Sequence, residues 1–187
     1  MKEASSQSSR KQLKKVQFML EGFIFIRIIL ISIIIFLVIT NVVVHPSYIN
    51  GNSMYPTLKD GQIGVTSIIH RYIKKVSRFD IVVVNSQKEN KKLAKRVIGL
   101  PNETIEYKDD KLYINGVIYE EVFLDVGYIN DQTSGGQLLF TSDYGPITLK
   151  QDEYFLCGDN RRVSNDSRQL GPFKKSEIMS IGFFVLF

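Results

Sequence analysis

Hydrophobic and polar residues follow two different patterns along this chain, and the change between them falls close to residue 45. Residues 23–44, FIFIRIILISIIIFLVITNVVV, form an almost unbroken apolar run. As a helix, this run would be about 33 Å long, which is enough to cross the hydrocarbon core of a bilayer. A buried core helix is the alternative, but a run without a polar face favours a transmembrane helix.

Beyond residue 46, the chain shows short runs rich in β-branched residues, some of which alternate apolar and polar side chains. These runs predict strands within residues 61–69, 79–85, 104–121, 152–160 and 178–187. The pairs Asp109-Asp110 and Asn115-Gly116 interrupt the third run and are typical of hairpin turns, the second of type I′. We therefore predict a mostly β domain of short antiparallel strands, in a sandwich or coiled sheet, behind one N-terminal transmembrane helix.

Two segments lack a clear strand pattern. Residues 122–150 contain TSGGQ and show little periodicity, which predicts an inserted lobe with a hairpin of its own. The segment before the apolar run, with SSQSSRKQLKK near its start, is polar and low in complexity. Such a composition predicts a disordered or loosely helical tail.

Basic residues are concentrated at the N-terminus. The net charge of the chain is +5, and residues 1–44 contribute +4 of it, with six basic and two acidic residues. This distribution removes the main support for nucleic-acid binding, so we predict no nucleic-acid partner. Five Lys or Arg residues lie within residues 1–15, which by the positive-inside rule places the N-terminus in the cytoplasm.

These patterns divide the chain into three predicted parts. They are a cytoplasmic basic tail (1–22), a single-pass transmembrane anchor (23–44) in contact with membrane lipid, and an extracytoplasmic domain (45–187) that includes the inserted lobe. A cleavable signal peptide is the alternative to the anchor. Cleavage needs small residues three places and one place before the cut, which ITNVVVHP lacks, so we predict an uncleaved anchor.

Cysteine and histidine are too scarce for several kinds of site. One cysteine excludes an intramolecular disulfide and a zinc site built on paired cysteines. Neither His45 nor His70 has a neighbour at metal-ligand spacing, and we predict that both are surface or interfacial residues. We therefore predict no metal and no cofactor, and nothing local supports a Ser-His-Asp triad.

A hydrolase without a histidine base needs another proton acceptor, and lysine can serve where burial removes its charge. The segment KKLAKRVIGLP (91–101) offers Lys95. On a strand, Leu93, Lys95 and Val97 share one face, so Lys95 would lie between two aliphatic neighbours. Arg96 would point the opposite way, toward solvent or a carboxylate. A basic edge strand with a solvated Lys95 is equally compatible with this segment.

A third segment, GDNRRVSNDSRQLGP (158–172), is dense in small polar residues. Loops of this composition commonly satisfy their own backbone through Asx-turns. This one follows the apolar YFLC, which indicates that it emerges from the core. Asp166 and Arg168 can form a bidentate pair that fixes the loop, which would leave Ser164 available to hydrogen-bond a neighbour.

Four motifs in order, GNSMYPTL (51–58), RFDIVVV (78–84), KRVIGLP (95–101) and GDNRRVSNDSR (158–168), resemble those of bacterial type I signal peptidases. The similarity covers roughly residues 23–187 and is greatest to single-anchor members from Gram-positive bacteria, in the S26 family of Ser-Lys proteases. It implies a mostly β protease domain of coiled sheets with an apolar surface toward the bilayer. It also implies that the substrates are preprotein signal peptides, cut after small-x-small sequences.

The resemblance implies a role for each matching residue. Ser53 matches the nucleophile and Lys95 the general base. Supporting residues match a serine that orients the lysine, a structural ion pair and the aspartate of the GDN turn: Ser164, Asp166 with Arg168, and Asp159. Residues beside the nucleophile and the base would contact substrate: Gly51, Asn52, Met54, Leu93 and Ala94.

The chain departs from the family pattern at three places. Gly51 has no hydroxyl that could serve as a second oxyanion donor. Asn102 and Glu103 replace the usual glycine and aspartate after Pro101, and asparagine accepts the positive φ of a turn glycine. Leu93 replaces the usual aromatic residue two places before the lysine. This replacement predicts a wider pocket, which accepts residues larger than alanine at the small positions of the substrate.

Other functional classes match parts of the pattern. One is an inactive or weakly active relative that helps to assemble surface polymers such as pili, but the presence of both Ser53 and Lys95 favours catalysis. Another is a self-cleaving Ser-Lys repressor, which needs a DNA-binding domain where this chain has its anchor. A penicillin-binding or β-lactamase site needs Ser-x-x-Lys on one helix, and none lies near Ser53. The pattern makes no prediction of oligomeric state.

Overall fold

The computed structural model of the chain describes residues 2–38, 45–67 and 74–186, with side chains from residue 14 onward except those of His45 and Ser67. The chain divides into two compact units, Met1–Val43 and Val44–Phe187. Helix α1 (Lys2–Val38) belongs to the first unit. Within it, Lys14–Val38 has a mean hydropathy of 2.6 and is long and apolar enough to cross a membrane.

Helix α1 agrees with the predicted apolar helix and extends beyond it toward the N-terminus. It begins at Lys2, so the basic tail, predicted to be disordered or loosely helical, is helical. The apolar run predicted over 23–44 is helical as far as Val38, and residues 39–44 lie outside the described residues. His70 also lies outside them.

Among the described residues, seven strands form the larger sheet of the second unit, and each pairs antiparallel with its neighbours. They are β1 (His45–Tyr48), β2 (Ile63–Ser67), β3 (Ile81–Ser86), β4 (Lys91–Gly99), β9 (Glu153–Cys157), β10 (Phe173–Lys174) and β11 (Ile178–Val185). Their order across the sheet is β1-β2-β11-β3-β4-β9-β10. Strand β4 therefore lies inside the sheet, between β3 and β9, and the edge-strand alternative for this segment is wrong.

Four strands form the smaller sheet, in the order β7-β6-β5-β8. They are β5 (Thr104–Lys108), β6 (Lys111–Ile114), β7 (Val117–Tyr119) and β8 (Tyr144–Thr148). Asp109 and Asp110 have φ angles of 51° and 60°, and Asn115 and Gly116 have φ angles of 52° and 78°. Positive φ at both central residues is the requirement of a type I′ turn, so both predicted hairpin turns are confirmed.

The segment 122–150 differs from its prediction. It contains a short helix, α2 (Val126–Gln132), and strand β8, which pairs with β5 rather than within the segment. The predicted hairpin inside this segment is therefore wrong. The physical reason lies in β5, whose Ile105 and Tyr107 are buried. A strand with such buried residues needs hydrogen-bonded neighbours on both sides, and β6 and β8 supply them.

The five predicted strand regions all contain strands, whereas β1 and β10 were not predicted. Strand β1 contains Pro46 and lies at the edge of its sheet, which is where a sheet tolerates proline. Strand β10 has two residues, too few for a periodic signal. It lies between helix α3 (Ser167–Leu170) and a 3-10 turn (Lys175–Glu177).

Side chains of β4 reach three buried clusters and organise the core. Leu93 and Val97 pack in a cluster formed by the larger sheet. Ile98 packs in a second cluster, which includes residues of the smaller sheet. Ala94 packs against a third cluster, which includes Met54. The predicted alternation of this segment is therefore confirmed, with Leu93 and Val97 on one face and Ala94 and Ile98 on the other.

Candidate active site

Ser53 lies between β1 and β2, in a segment that we call the Ser53 turn (residues 49–58). Met54 and Leu58 are buried with Ile49 in one apolar cluster. The amide of Leu58 donates to the carbonyl of Met54 at 2.9 Å, which closes the turn. Because buried side chains hold the backbone at both ends, the hydroxyl of the half-buried Ser53 is presented from a fixed position.

Lys95 lies in the middle of β4 and exposes 1% of its surface. Its ammonium Nζ donates to Ser164 Oγ at 3.1 Å. Burial lowers the pKa of Lys95 from 10.5 to about 8, although the negative charge of Asp166 opposes this shift. A solvated Lys95, the second prediction for this segment, is therefore wrong, and the side chain has the dry surroundings that a neutral amine requires.

The loop that carries Ser164 is fixed by an ion pair inside the protein. Asp166 accepts hydrogen bonds from Arg168 Nε at 2.9 Å and Nη2 at 3.0 Å, and from the amide of Gly158 at 3.0 Å. Burial alone would raise the pKa of Asp166, but the hydrogen bonds and charge of Arg168 outweigh it and lower that pKa. The predicted pair of Asp166 and Arg168 is thus present, and it holds the loop beside Lys95.

Asp159 joins the strand of Lys95 to the Ser53 turn. Its carboxylate accepts from Arg96 Nε at 2.8 Å and from Arg96 Nη2 at 2.6 Å. It also accepts from the hydroxyl of Thr57 at 2.5 Å. Arg96, which the sequence directs away from Lys95 toward solvent or a carboxylate, therefore finds the carboxylate of the GDN turn (residues 158–160).

The other two residues of the GDN turn touch the Ser53 turn directly. Asn160 donates its amide N–H to the carbonyl of Ser53 at 3.0 Å and its side-chain N–H to the carbonyl of Asn52 at 3.1 Å. Gly158 packs so closely that a β-carbon there would overlap both Ser164 Oγ and the carbonyl oxygen of Ser53. Gly158 is therefore the point at which the Ser53 turn meets the loop that carries Ser164 (the Ser164 loop, residues 161–166).

A third buried ion pair connects this region to the smaller sheet. Arg161 donates to Glu121 from Nη2 at 2.5 Å and from Nη1 at 3.0 Å. Tyr107 donates its hydroxyl to the same carboxylate at 2.9 Å. The residues just after the GDN turn are thus held by β5 and by the segment that follows β7.

Sequence reasoning found some of these residues and missed others. It grouped Ser53, Lys95 and Ser164; in the structure Lys95 Nζ donates to Ser164 Oγ, and Ser164 Oγ and the carbonyl oxygen of Ser53 both lie against Gly158. It missed the contacts of Thr57 and Asn160, although both belong to motifs quoted above. It also missed Glu121, which lies in no motif and whose partner is 40 positions away along the chain.

The residues predicted to contact substrate lie beside Ser53 and Lys95 in the sequence and differ in their exposure to solvent. Gly51 and Asn52 are exposed, Leu93 and Ala94 are half-buried, and Met54 is buried. The amide of Gly51 donates to Asp60 Oδ1 at 2.6 Å, so this amide already has an acceptor. Among the family departures, Asn102 has a φ of 69°, the positive φ that asparagine was expected to accept at this position.

Comparisons with known proteins agree with this geometry. The family model described as signal peptidase, peptidase S26, matches residues 23–187. Signal peptidase I S of Bacillus subtilis is 39% identical over 160 residues, which cover 85% of each chain. Signal peptidase I of Bacillus licheniformis is 36% identical over 166 residues, 88% of each chain.

A solved structure is similar as well. It is a signal peptidase I from Enterococcus faecalis with 37% sequence identity and a TM-score of 0.52, and the match covers 58% of this chain and 97% of that chain. The fold and the sequence matches together define a mostly β peptidase. The chain belongs to the signal peptidase family, peptidase S26.

Proposed function

We propose that this chain is a membrane-anchored serine endopeptidase that removes signal peptides from preproteins, with Ser53 as the nucleophile and Lys95 as the general base. The observation that carries the proposal is the buried amine of Lys95, whose pKa burial lowers to about 8, beside the Ser164 loop against which the Ser53 turn packs. Family membership supports the reaction class. No comparison supports the alternative of a non-catalytic accessory protein.

The reaction begins with proton transfer between the two side chains. Neutral Lys95 takes the proton of the Ser53 hydroxyl as Oγ attacks the carbonyl carbon of the scissile bond. The main-chain N–H of Ser53 is the oxyanion donor for the tetrahedral intermediate that forms. When this intermediate collapses, Lys95 returns the proton to the leaving amine, and the signal peptide remains as an ester on Ser53. Water, activated by the same amine, then hydrolyses the ester.

Supporting residues keep the amine in place for both proton transfers. Ser164 accepts a hydrogen bond from Lys95 Nζ, which selects one position for a long and flexible side chain. The pair of Asp166 and Arg168 fixes the loop, and Asp166 also accepts a hydrogen bond from the hydroxyl of Ser164, whose oxygen accepts from Lys95. In this arrangement the carboxylate of Asp166 keeps the loop of Ser164 in place, and Lys95 takes the role that a histidine has in other serine proteases.

Substrate recognition follows from the neighbours of Ser53 and Lys95. We infer that the signal peptide binds in extended form along residues 50–52, by strand addition, with small side chains in pockets lined by Met54, Leu93 and Ala94. Leu93 in place of an aromatic residue widens these pockets. A series of preproteins varied at the two small positions should show cleavage with residues larger than alanine, and cleavage of alanine alone would contradict this hypothesis.

The membrane arrangement is part of the same proposal. Helix α1 crosses the lipid bilayer once, with the basic N-terminus in the cytoplasm and the protease domain outside, where the scissile bond of an exported preprotein emerges. An epitope tag at the C-terminus should be accessible on intact protoplasts, whereas a tag at the N-terminus should require permeabilisation. The reverse result would contradict the orientation.

The central test is cleavage of a labelled preprotein by the purified chain in detergent. Wild-type protein should release the signal peptide, and Ser53→Ala and Lys95→Ala should not, while their thermal unfolding remains cooperative. If Lys95→Ala cleaves at the wild-type rate, the serine–lysine assignment is wrong. If all three proteins are inactive on several preproteins, the accessory function regains support.

A further inference from the structure

Thr57 lies four residues after Ser53, and its side chain takes no part in the bond-making steps of the proposed reaction. The residue is exposed, but its hydroxyl points to a buried partner. Thr57 Oγ1 donates to Asp159 Oδ2 at 2.5 Å, within the short range of hydrogen bonds to a charged acceptor. Asp159 exposes 1% of its surface.

Charge balance alone does not explain this hydrogen bond. Both oxygens of Asp159 already accept from Arg96, at 2.8 Å and 2.6 Å, so the carboxylate is neutralised without Thr57. The hydrogen bond from Thr57 to Asp159 therefore restrains the position of the Ser53 turn. It joins the second half of the Ser53 turn to the residue that follows Lys95 on β4.

The first half of the Ser53 turn has its own connection. Asn160 donates to the carbonyls of Asn52 and Ser53, as described above. Asn160 and Asp159 are adjacent, so one short segment holds the backbone before Ser53 and the hydroxyl after it. Three hydrogen bonds thus fix the turn against the GDN turn, and only the bond from Thr57 involves a side chain of the Ser53 turn.

We propose that Thr57 is a positioning residue, whose hydroxyl aligns Ser53 with Lys95 through Asp159 and Arg96. This inference rests on the proposed function, because it assigns the alignment of that nucleophile and that base. The rate of a reaction between two groups held in place depends strongly on their relative position. A displacement of about 1 Å can lower the rate about 100-fold. Thr57 therefore affects the chemical step rather than the affinity for substrate.

The test compares two substitutions at position 57 in the full-length protein in detergent. Thr57→Val keeps the shape and the β-branch but removes the hydroxyl, and we expect kcat to fall about tenfold or more with KM within about twofold of wild type. Thr57→Ser keeps the hydroxyl and should retain kcat within about threefold. Thr148→Val is the matched control, since Thr148 is an exposed threonine of the smaller sheet that loses a hydrogen bond to Thr104 Oγ1.

The pH profile separates positioning from an effect on the charge of Lys95. In Thr57→Val the plateau of kcat/KM at high pH should fall, while the apparent pKa of the profile should not move. A changed apparent pKa with an unchanged plateau would mean that Thr57 acts on proton affinity, which would overturn the inference.

Three further kinetic results would also overturn the positioning role of Thr57. A Thr57→Val protein with kcat within twofold of wild type, or with raised KM and normal kcat, overturns the inference. So does Thr57→Ser with the same loss as Thr57→Val, and this comparison holds even if the valine variant folds poorly. Ser53→Ala and Lys95→Ala, assayed in parallel, test the proposed function separately. If they are inactive while Thr57→Val is normal, only the positioning role fails.

Discussion

Two neighbouring side chains of β4 carry positive charge into the protein interior and differ in what they meet there. Lys95 and Arg96 expose 1% and 7% of their surface, on opposite faces of the strand. Arg96 meets the carboxylate of Asp159 in a bidentate ion pair. Lys95 donates to the hydroxyl of Ser164, and among the described residues no ion pair joins it to a carboxylate. Burial is similar on the two faces, so the partner decides the chemical character of each cation.

This difference separates structure from reactivity within one strand. A guanidinium paired with a carboxylate is a permanent charge that can hold elements together. An ammonium with a neutral partner bears the cost of desolvation, and that cost is what makes its proton removable near neutral pH. We conclude that β4 supplies a structural cation on one face and a titratable amine on the other.

The largest expected effect comes from making the two cations alike. Lys95→Arg puts a guanidinium where the reaction requires a neutral base, and a guanidinium does not release its proton at workable pH. We expect preprotein cleavage to fall by about 1,000-fold, within the range of contributions of general bases. Single-turnover cleavage by the purified protein measures this loss. Lys92→Arg, the same change at an exposed position of β4, is the control and should cleave normally.

Removing the charge of Arg96, on the other face of β4, should lower the stability of the fold. Arg96→Met leaves the carboxylate of Asp159 buried without its partner, and breaking a buried pair in this way costs about 3–5 kcal/mol of unfolding free energy. Urea denaturation of the detergent-solubilised protein measures the loss. An unchanged midpoint would show that the ion pair contributes nothing to stability and would remove the structural half of the comparison.

The matching change at Lys95 should have the opposite sign at neutral pH. Below about pH 8, Lys95 is charged in both the folded and the unfolded chain, so the folded state bears the full desolvation cost. Lys95→Met removes this cost and should raise the unfolding free energy at pH 7 by roughly 3 kcal/mol. Between pH 8 and 10.5 the unfolded wild type binds more protons than the folded one, so wild type gains stability and the advantage of methionine declines.

Paired denaturation curves at pH 7 and pH 10 check this sign. The difference between Lys95→Met and wild type should shrink at the higher pH, whereas Lys92→Met should differ little from wild type at both. A methionine variant less stable than wild type at pH 7 would mean that the hydrogen bond to Ser164 outweighs desolvation.

The alternating pattern of β4 shows how far the sequence could predict this arrangement. Alternation alone placed Lys95 and Arg96 on opposite faces, because side chains of a strand alternate whatever the fold. The same alternation could not decide whether Lys95 was buried, since that depends on β3 and β9 lying on both sides of β4. Strand neighbours distant in sequence are a property of topology, and the local pattern does not contain them.

Long-range partners explain the other differences. The pair of Asp166 and Arg168 was predictable because two positions separate its members. The pair of Arg96 and Asp159 spans 63 positions, and that of Arg161 and Glu121 spans 40. The wrong hairpin in 122–150 has the same origin, because β8 pairs with β5 and that pairing is set by the burial of β5. Contacts between residues close in sequence could therefore be predicted. The contacts between distant segments that assemble the site could not.

The smallest expected effect is a shift in the pH dependence of cleavage. If Lys95 is the base, kcat/KM should rise about tenfold per pH unit below about pH 8 and level off above it, as the amine loses its proton. The charge of Lys91, an exposed residue of the same strand, helps to lower the pKa of Lys95. Lys91→Met should therefore move the profile slightly to higher pH and leave its plateau unchanged. A profile that is flat between pH 6 and 8, or a shift to lower pH in Lys91→Met, would show that the titrating group is not Lys95, and the contrast between the two faces of β4 would then have no catalytic meaning.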